Sequence, residues 1–246
     1  MHPIIYKVGP LTIYSYGLMI VLAFIIATFL LSRRAKRQGL DPELIFNLSF
    51  LIIISGIIGA RTLYVVLNFE YYFNNPVEII MLTHGGLAWF GGLIFASVSC
   101  VVYLRHKRLD VYRIFDLAVP YAALGQAIGR IGCFLNGCCY GKEVSHFGIY
   151  FPVHDAILIP TQLYSCLALL TIYLILRVRQ NRTHQKGEIF YLYLFLYSIW
   201  RFFIEFFRGD NEIFIFGLTI FQIFSIALFI LSSVLLIRVK RQQENR

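Results

Sequence analysis

The sequence is poor in charged residues, and this scarcity excludes an ordinary soluble domain. Only 14% of its residues are Asp, Glu, Lys or Arg, whereas soluble domains carry about 25%. Hydrophobic residues make up 59% of the 246-residue chain, and its mean hydropathy is +0.71. We therefore expect an all-α integral membrane protein in which residues 1–246 form a single transmembrane domain.

The sequence also lacks the patterns of two other classes of protein. Its formal net charge of +9 would suit a nucleic-acid partner, but the basic residues form short clusters between apolar runs, as in the loops of membrane proteins. Its neighbouring cysteines, Cys133, Cys138 and Cys139, have no paired CxxC spacing and no adjacent histidine. We therefore expect neither a nucleic-acid partner nor a metal ion.

Long apolar runs are what the sequence has instead. A helix needs about 20 mostly apolar residues to cross the hydrocarbon core of a membrane. The runs of this chain predict seven transmembrane helices. These spans are Ser15–Leu31, Leu44–Leu67, Leu87–Leu104, Ile114–Phe134, Gln162–Leu176, Ile189–Phe207 and Ile213–Ile237.

Lys and Arg fall in every second loop, and this alternation sets the predicted orientation. Residues 68–86 hold no Lys or Arg, and residues 135–161 hold only Lys142. Because basic loops stay in the cytoplasm, we expect the N-terminus outside and the C-terminus inside the cell. The basic clusters follow the odd-numbered spans: Arg33, Arg34, Lys36 and Arg37; Arg105, Lys107, Arg108 and Arg113; Arg177, Arg179, Arg182 and Lys186; Arg238, Lys240, Arg241 and Arg246.

Some arginines lie inside or at the ends of the apolar segments. Arg61, Arg130 and Arg201 belong to spans two, four and six, all of which run outward in the predicted orientation. An arginine at the centre of a bilayer costs about 2.5 kcal/mol or more, so a functional site is the default interpretation. All of them fall toward the outer leaflet, where we expect them to hold a phosphate.

Span four ends in a glycine-rich stretch. Gly125 and Gly129 share a helix face and favour a close helix crossing, and Gln126, Arg130 and Cys133 form a neighbouring stripe. A snorkelling arginine at a tight crossing would explain this pattern without a ligand. The many glycines after Arg130 favour a backbone that is packed against something, including a ligand.

Span six ends with charges on one helix face. Arg201, Glu205 and Arg208 are spaced i, i+4 and i+7. One explanation is a structural ion pair that neutralises itself in lipid. Because one Glu cannot neutralise two Arg, we favour an anion site, since the planar guanidinium fork suits phosphate oxygens.

Small residues precede Arg61 in span two, and a histidine precedes span three. Ser55 with Gly59 and Gly56 with Ala60 are small residues spaced i, i+4, which predict close packing of span two against another helix. His84 stands before two glycines, which allow an unusual turn and the close approach of a substrate. A structural histidine and a proton-transfer histidine fit this position equally well.

Taken together, these motifs resemble the prolipoprotein diacylglyceryl transferases, which are phosphatidylglycerol-dependent enzymes of the bacterial inner membrane. The resemblance covers most of the chain. The sequence departs from the family pattern where Cys133 replaces an Asn, Cys138 replaces a Glu and Ile159 replaces a His. The matching motifs, in family order, are Tyr16-Gly17, Gly59-Ala60-Arg61 with Tyr64, His84-Gly85-Gly86-Leu87, Gly129 to Gly141, Pro160-Thr161-Gln162-Leu163-Tyr164 and Arg201 to Arg208.

The resemblance implies a reaction and a set of roles. The diacylglyceryl group of phosphatidylglycerol would move to the lipobox cysteine thiol of a prolipoprotein signal peptide, forming a thioether and releasing glycerol 1-phosphate. His84 is the candidate base, Arg130 and Arg201 act on the phosphate, and no cofactor is needed. Substrate contacts are expected from Tyr16, Arg61, Gln126, Asn136, Gly141, Glu205 and Arg208.

Two other functions fit some of the same features. A small-solute or lipid transporter would line a path with the intramembrane charges, and another phospholipid-using transferase would use the same arginines. Transport is disfavoured because we expect no charges in the cytoplasmic halves of the spans and find no clear inverted repeat.

Overall fold

The computed structural model describes residues 1–8, 11–81 and 85–244, most of which are helical. A short 3-10 helix, Pro76–Ile80, follows the third α-helix. The α-helices are α1 (Ser15–Arg37), α2 (Pro42–Leu67), α3 (Phe69–Asn74), α4 (Trp89–His106), α5 (Val111–Asn136), α6 (Thr161–Gln180), α7 (Glu188–Glu205) and α8 (Ile220–Glu244).

Five helices of the described chain are long and apolar enough to cross a membrane: α1, α2, α4, α6 and residues 220–241 of α8. The helix α5 overlaps the fourth predicted span, but its glycines and polar side chains lower its hydropathy. The helix α7 overlaps the sixth span and carries Glu188, Arg201 and Glu205. An all-α membrane protein is therefore confirmed, whereas the seven crossings and the orientation of the termini stay predictions.

The outer surfaces of the long helices are largely apolar. Phe50, Val98 and Leu167 are exposed, and at most 39% of any candidate span is buried. Exposed apolar surface of this extent is unfavourable in water and is expected of helices that face lipid.

Short antiparallel hairpins, which the sequence did not predict, connect some of the helices. The strands β5 (Ile213–Ile215) and β6 (Leu218–Thr219) form one of them. The predicted start of the seventh span at Ile213 is therefore wrong, because α8 begins only at Ile220. The other hairpins pair β1 (Ile4–Val8) with β2 (Leu11–Tyr14), and β3 (Ile149–Phe151) with β4 (Ala156–Leu158).

The chain divides into two compact units. The first unit comprises Met1–Leu31 and Tyr112–Arg246, and the second comprises Ser32–Val111. A single transmembrane domain over the whole chain stays a prediction.

The second unit is built on a close crossing of α2 and α4. A Cβ added at Gly59 would lie 2.3 Å from the Cβ of Phe95, and one at Gly91 would lie 2.3 Å from the backbone oxygen of Gly59. Neither position has room for a side chain, so the small residues of span two do serve close helix packing. The backbone N–H of Ala88 also donates to the backbone oxygen of Ala60, at 2.9 Å.

The core of the first unit lies between α5, α6 and α7. Its buried members come from all of these helices, and tyrosines and phenylalanines of α7 pack around them. On its other side, α7 packs against α8. The buried core residues are Val119, Ala123, Ile172, Leu176, Ile189 and Tyr193.

Asp116 joins the starts of α5 and α7. Its carboxylate is buried and accepts hydrogen bonds from the backbone N–H groups of Gly187 and Phe190, at 2.6 and 2.8 Å. A carboxylate at a helix N-terminus satisfies N–H groups that have no partner within the helix. The expectation of no charge in the predicted cytoplasmic halves is therefore wrong, but Asp116 caps a helix rather than standing alone.

Candidate functional site

The carboxylate of Glu205 is the centre of the charged cluster at the end of α7. Its side chain is completely buried, and its Oε2 lies 2.9 Å from Nη1 of Arg201. Its Oε1 accepts hydrogen bonds from Thr219 and Asn211, at 2.9 and 2.5 Å. Buried charges are stable when they are paired and hydrogen-bonded, so Glu205 positions Arg201 and ties α7 to the β5–β6 hairpin.

Arg208 has its own acidic partner. Its Nε and Nη2 atoms donate to the two carboxylate oxygens of Asp210, at 2.8 and 2.6 Å. Burial would lower the pKa of Arg208, but the hydrogen bonds and charge of Asp210 outweigh burial and raise this pKa above its usual value. The argument that one Glu cannot neutralise both Arg201 and Arg208 therefore omitted Asp210, which supplies a second carboxylate.

The guanidinium of Arg201 lies against an aromatic ring. Its central carbon is 4.6 Å from the centroid of Phe221, the second residue of α8, which is a cation–π contact. The side chain remains 12% exposed, while its partner Glu205 is fully buried. Arg201 is therefore held on two sides and still reaches the surface of the unit.

Arg130 is the unpaired cation of the site. It lies half-buried in the last two turns of α5 and, within the described residues, has no hydrogen-bond or ion-pair partner. Its charge acts on that of Arg201, so the structure brings these two predicted residues together. Neighbouring guanidinium groups repel each other, and an anion that binds between them removes this repulsion.

Gln126 and Tyr16 lie around Arg130. Gln126, one helical turn before Arg130, accepts a hydrogen bond from the Tyr193 hydroxyl at 2.8 Å. Tyr16 is near enough to interact electrostatically with Arg130. Gly132 lets α1 approach α5 here, since a Cβ there would lie 2.9 Å from the Cβ of Met19, three residues after Tyr16. Both predicted substrate contacts therefore lie beside Arg130.

Asn136 and Gly141 lie at the two ends of the loop after α5. Asn136 ends the helix and its side chain contacts Cys138. A Cβ at Gly141 would lie 2.6 Å from the Cβ of Ile159 and 2.7 Å from the backbone oxygen of Phe207. Gly141 therefore lets two backbone segments approach each other, and its proposed contact with a substrate stays a prediction.

Cys139 lies in the same loop, and its thiol interacts electrostatically with Arg130 and Arg208. Hydrogen bonds from Cys133 and Cys138 lower its pKa, and so do the positive charges of Arg130 and Arg208. Two of the predicted arginines and the start of the loop thus share one electrostatic environment.

Arg61, in the second unit, is buried beneath the segment that leads to α4. All five of its guanidinium N–H donors are used by backbone carbonyl oxygens, and its central carbon lies 5.2 Å from the ring centroid of Tyr72. It positions this segment, and its predicted contact with a phosphate stays a prediction. The accepting carbonyls belong to Glu78, Ile79, Met81, Gly85 and Gly86.

His84 lies outside the described residues, so its role as the base stays a prediction. The segments on both sides of it are held by Arg61, through Met81 before it and Gly85 after it.

Several residues of the site were missed in the sequence. Asp210 could have been found, since it stands two residues after Arg208 and is acidic. Thr219 and Phe221 could not, because they lie beyond a hairpin that brings them back to α7. The hydrogen bond from the Tyr193 hydroxyl to Gln126 could not be found either, because it joins two different helices.

Comparison with known proteins gives a consistent result. The sequence profile of the prolipoprotein diacylglyceryl transferases matches residues 3–238. A phosphatidylglycerol–prolipoprotein diacylglyceryl transferase of Clostridium tetani is 36% identical over 219 residues, which cover 85% of this chain and 86% of that protein.

Other similar proteins carry the same name. The phosphatidylglycerol–prolipoprotein diacylglyceryl transferase of Streptococcus pyogenes serotype M5 is 34% identical over 253 residues, covering 99% of this chain and 97% of that protein. That of Bacillus cytotoxicus is 34% identical over 240 residues, covering 93% of this chain and 88% of that protein.

Proposed function

The chain belongs to the prolipoprotein diacylglyceryl transferase family, and we propose that it acts as a phosphatidylglycerol–prolipoprotein diacylglyceryl transferase. In the reaction, the lipobox cysteine sulfur attacks the carbon that joins the diacylglyceryl group to the phosphate. The carbon–oxygen bond breaks, a thioether forms and glycerol 1-phosphate leaves.

The guanidinium of Arg130, which lies beside Arg201 and has no hydrogen-bond or ion-pair partner among the described residues, is the observation that carries this proposal. As the carbon–oxygen bond breaks, negative charge grows on the phosphate ester that leaves. Positive groups that are already in place stabilise such charge without reorganising, and they do so best where water is scarce. Arg130 and Arg201 bind this phosphate and are the catalytic arginines, while Glu205 holds Arg201 in position.

The remaining predicted residues complete the site. Tyr16 and Gln126 surround Arg130 and contact the glycerol and phosphate oxygens, while Arg208, held by Asp210, contacts the substrate from the edge of the site. Arg61 and Gly141 affect the substrate indirectly, because they hold backbone segments of the protein in place. Asn136 does so because the loop after α5 begins at this residue.

The nucleophile comes from the substrate. A cysteine thiol has a reference pKa near 8.5 and reacts as the thiolate. We assign the removal of its proton to His84, because histidine accepts protons near neutral pH. The reaction needs no electron transfer, so the protein's own side chains suffice for it.

The site requires a defined placement in the membrane. We propose that α1, α2, α4, α5, α6, α7 and α8 all cross the bacterial inner membrane as one domain, with the N-terminus outside. The alternation of basic loops supports this orientation. Arg130 and Arg201 then lie at the outer leaflet, within reach of phosphatidylglycerol and of a prolipoprotein signal peptide.

Product analysis tests the proposal against its rivals. The purified protein is incubated in detergent with phosphatidylglycerol and a lipobox peptide, and the products are identified by mass spectrometry. We expect a peptide whose mass has risen by a diacylglyceryl group, together with free glycerol phosphate. Free fatty acid or a new phospholipid would instead indicate another transferase, and the absence of any turnover would indicate transport.

A further inference from the structure

The sulfur atoms of Cys133, Cys138 and Cys139 converge in the first unit. All of them lie within 4.8 Å of one another, and none is in a disulfide. The family resemblance assigns no role to these thiols, and the proposed transfer reaction does not use them. Their spacing along the chain resembles no common metal-binding pattern, so the three-dimensional arrangement is the informative feature.

The backbone structure at the end of α5 explains why Cys133 and Cys138 lie close together. Gly137 has a φ of 78°, and the backbone N–H groups of Gly137 and Cys138 donate to the oxygens of Phe134 and Cys133, at 3.2 and 3.1 Å. This pair of bonds is a Schellman motif, which turns the chain back over the last helical turn. The motif returns Cys138 to Cys133, five residues before it.

Cys139 completes the cluster, and its backbone conformation is energetically unfavourable. Its φ of 62° lies in the left-handed region, which a residue with a side chain seldom adopts. The loop is held there from α6, where Thr161 and Gln162 donate to the backbone oxygens of Cys139 and Cys138, each at 2.7 Å. Conformations of this kind persist where the surroundings fix them and are concentrated at functional sites.

We propose that Cys133, Cys138 and Cys139 form a tri-thiolate site for a soft cation such as Zn²⁺. Thiolates are the ligands that select soft and borderline cations. A zinc–sulfur distance of about 2.3 Å in tetrahedral geometry places the sulfurs about 3.8 Å apart, so they need to move by about 1 Å or less. Each thiol loses its proton as its bond to the ion forms.

The surrounding charges suit the resulting complex. One divalent cation with three thiolates has a net charge of −1. Arg130 and Arg208 both interact electrostatically with Cys139, so positive charge is already present beside the cluster. Zinc with three protein ligands leaves a fourth position for water or another small ligand.

A disulfide is the rival use of these thiols, and the geometry disfavours it. Cys138 and Cys139 are adjacent in sequence, where a bridge is strained. A bridge from Cys133 to either of them would bring two sulfurs to about 2.0 Å and would leave the third without a partner in the cluster.

Cadmium titration tests the site directly. Cd²⁺ is added to the metal-free, reduced protein in detergent, and the ultraviolet sulfur-to-cadmium charge-transfer band is recorded together with the metal content by mass spectrometry. We expect a single ion per chain and a saturating band. The variants Cys133→Ser and Cys139→Ser should lose that band, whereas Cys100→Ser and Cys166→Ser, whose thiols lie outside the cluster, should retain it.

A second measurement does not depend on the variants being folded. Zn²⁺ should protect Cys133, Cys138 and Cys139 of the unmodified protein from alkylation, as mapped by peptide mass spectrometry, and should leave the reactivity of Cys100 and Cys166 unchanged. The proposal is overturned if no ion binds, if the serine variants bind it normally, or if protein purified without reductant contains a disulfide among the three. None of these results bears on the transfer reaction.

Discussion

Arg208 pairs with Asp210 rather than with Glu205. Its Nε lies 2.8 Å from Oδ1 of Asp210 but 3.9 Å from the nearer oxygen of Glu205. Glu205 is thereby left to Arg201, and the positive charge without a carboxylate partner shifts to Arg130 on another helix. The proposed anion site is therefore shared between α5 and α7.

Replacement of Arg130 should abolish most of the transfer without unfolding the protein. Loss of one preorganised donor at a developing charge costs about 10²–10³-fold in rate, and we expect a fall of that size for Arg130→Ala. Arg130→Lys should rescue poorly, because lysine lacks the planar fork. The readout is the initial rate of peptide lipidation, with thermal unfolding measured in parallel.

Arg182→Ala is the matched control for Arg130→Ala, since it removes one arginine from an exposed turn far along the chain. Its rate should equal that of the unmodified protein. A near-normal rate for Arg130→Ala would contradict the phosphate assignment.

Arg61→Ala should destabilise the second unit. The change leaves the carbonyl oxygens around Arg61 without their donor, and each buried group left unpaired costs about 1–3 kcal/mol. We expect a lower melting temperature and faster proteolysis within residues 68–88, in contrast to Arg130→Ala. Thr62→Ala is the control, because its hydroxyl is exposed and bonds only within α2 in the described structure. Unchanged stability of Arg61→Ala would refute the positioning role.

Two glycines three residues apart in α2 should respond differently to alanine. A Cβ at Gly59 would lie 2.3 Å from Phe95, whereas one at Gly56 would have its nearest neighbours at 3.9 Å. Overpacking of this kind costs about 1–3 kcal/mol. Thermal unfolding in detergent should therefore show a lower midpoint for Gly59→Ala and little change for Gly56→Ala. Equal midpoints would mean that α2 and α4 do not cross as described.

His84→Gln should lose activity mainly near neutral pH. A substrate thiol with a pKa near 8.5 is mostly protonated there and needs a base, but it ionises by itself in alkaline solution. The variant's rate, measured as a pH profile of peptide lipidation, should recover partly as the pH rises. If the ratio of the variant's rate to the normal rate does not change with pH, His84 has a structural role.

Much of the helical structure could be predicted, because apolar runs of span length leave little choice of structure. The predicted spans Leu44–Leu67 and Ile114–Phe134 match α2 and α5 to within a few residues. The start of α8 was missed because residues 213–219 are as apolar as a span, yet they form a hairpin.

Less of the site could be predicted, since its pairings join distant parts of the chain. The stripe of Arg201, Glu205 and Arg208 follows from helix periodicity, and so does the position of Gln126. The separation of the charges into pairs depends on Asp210 and Thr219, whose positions are set by the turn after α7. The convergence of Cys133, Cys138 and Cys139 was not predicted, because spacing along the chain does not reveal a helix cap that folds back.

The cap at Asp116 sets the positions of Arg130 and Arg201 relative to each other along α5 and α7. On α5, Arg130 comes fourteen residues after Asp116, and on the parallel α7, Arg201 comes fourteen residues after Gly187, which Asp116 binds. At 1.5 Å per residue the backbone of each arginine lies about 21 Å along its helix from the residue at the Asp116 cap. A slip of α7 by one residue would turn Arg201 by about 100° about the helix axis, so the aspartate that joins the starts of α5 and α7 aligns the two arginines near the ends of these helices.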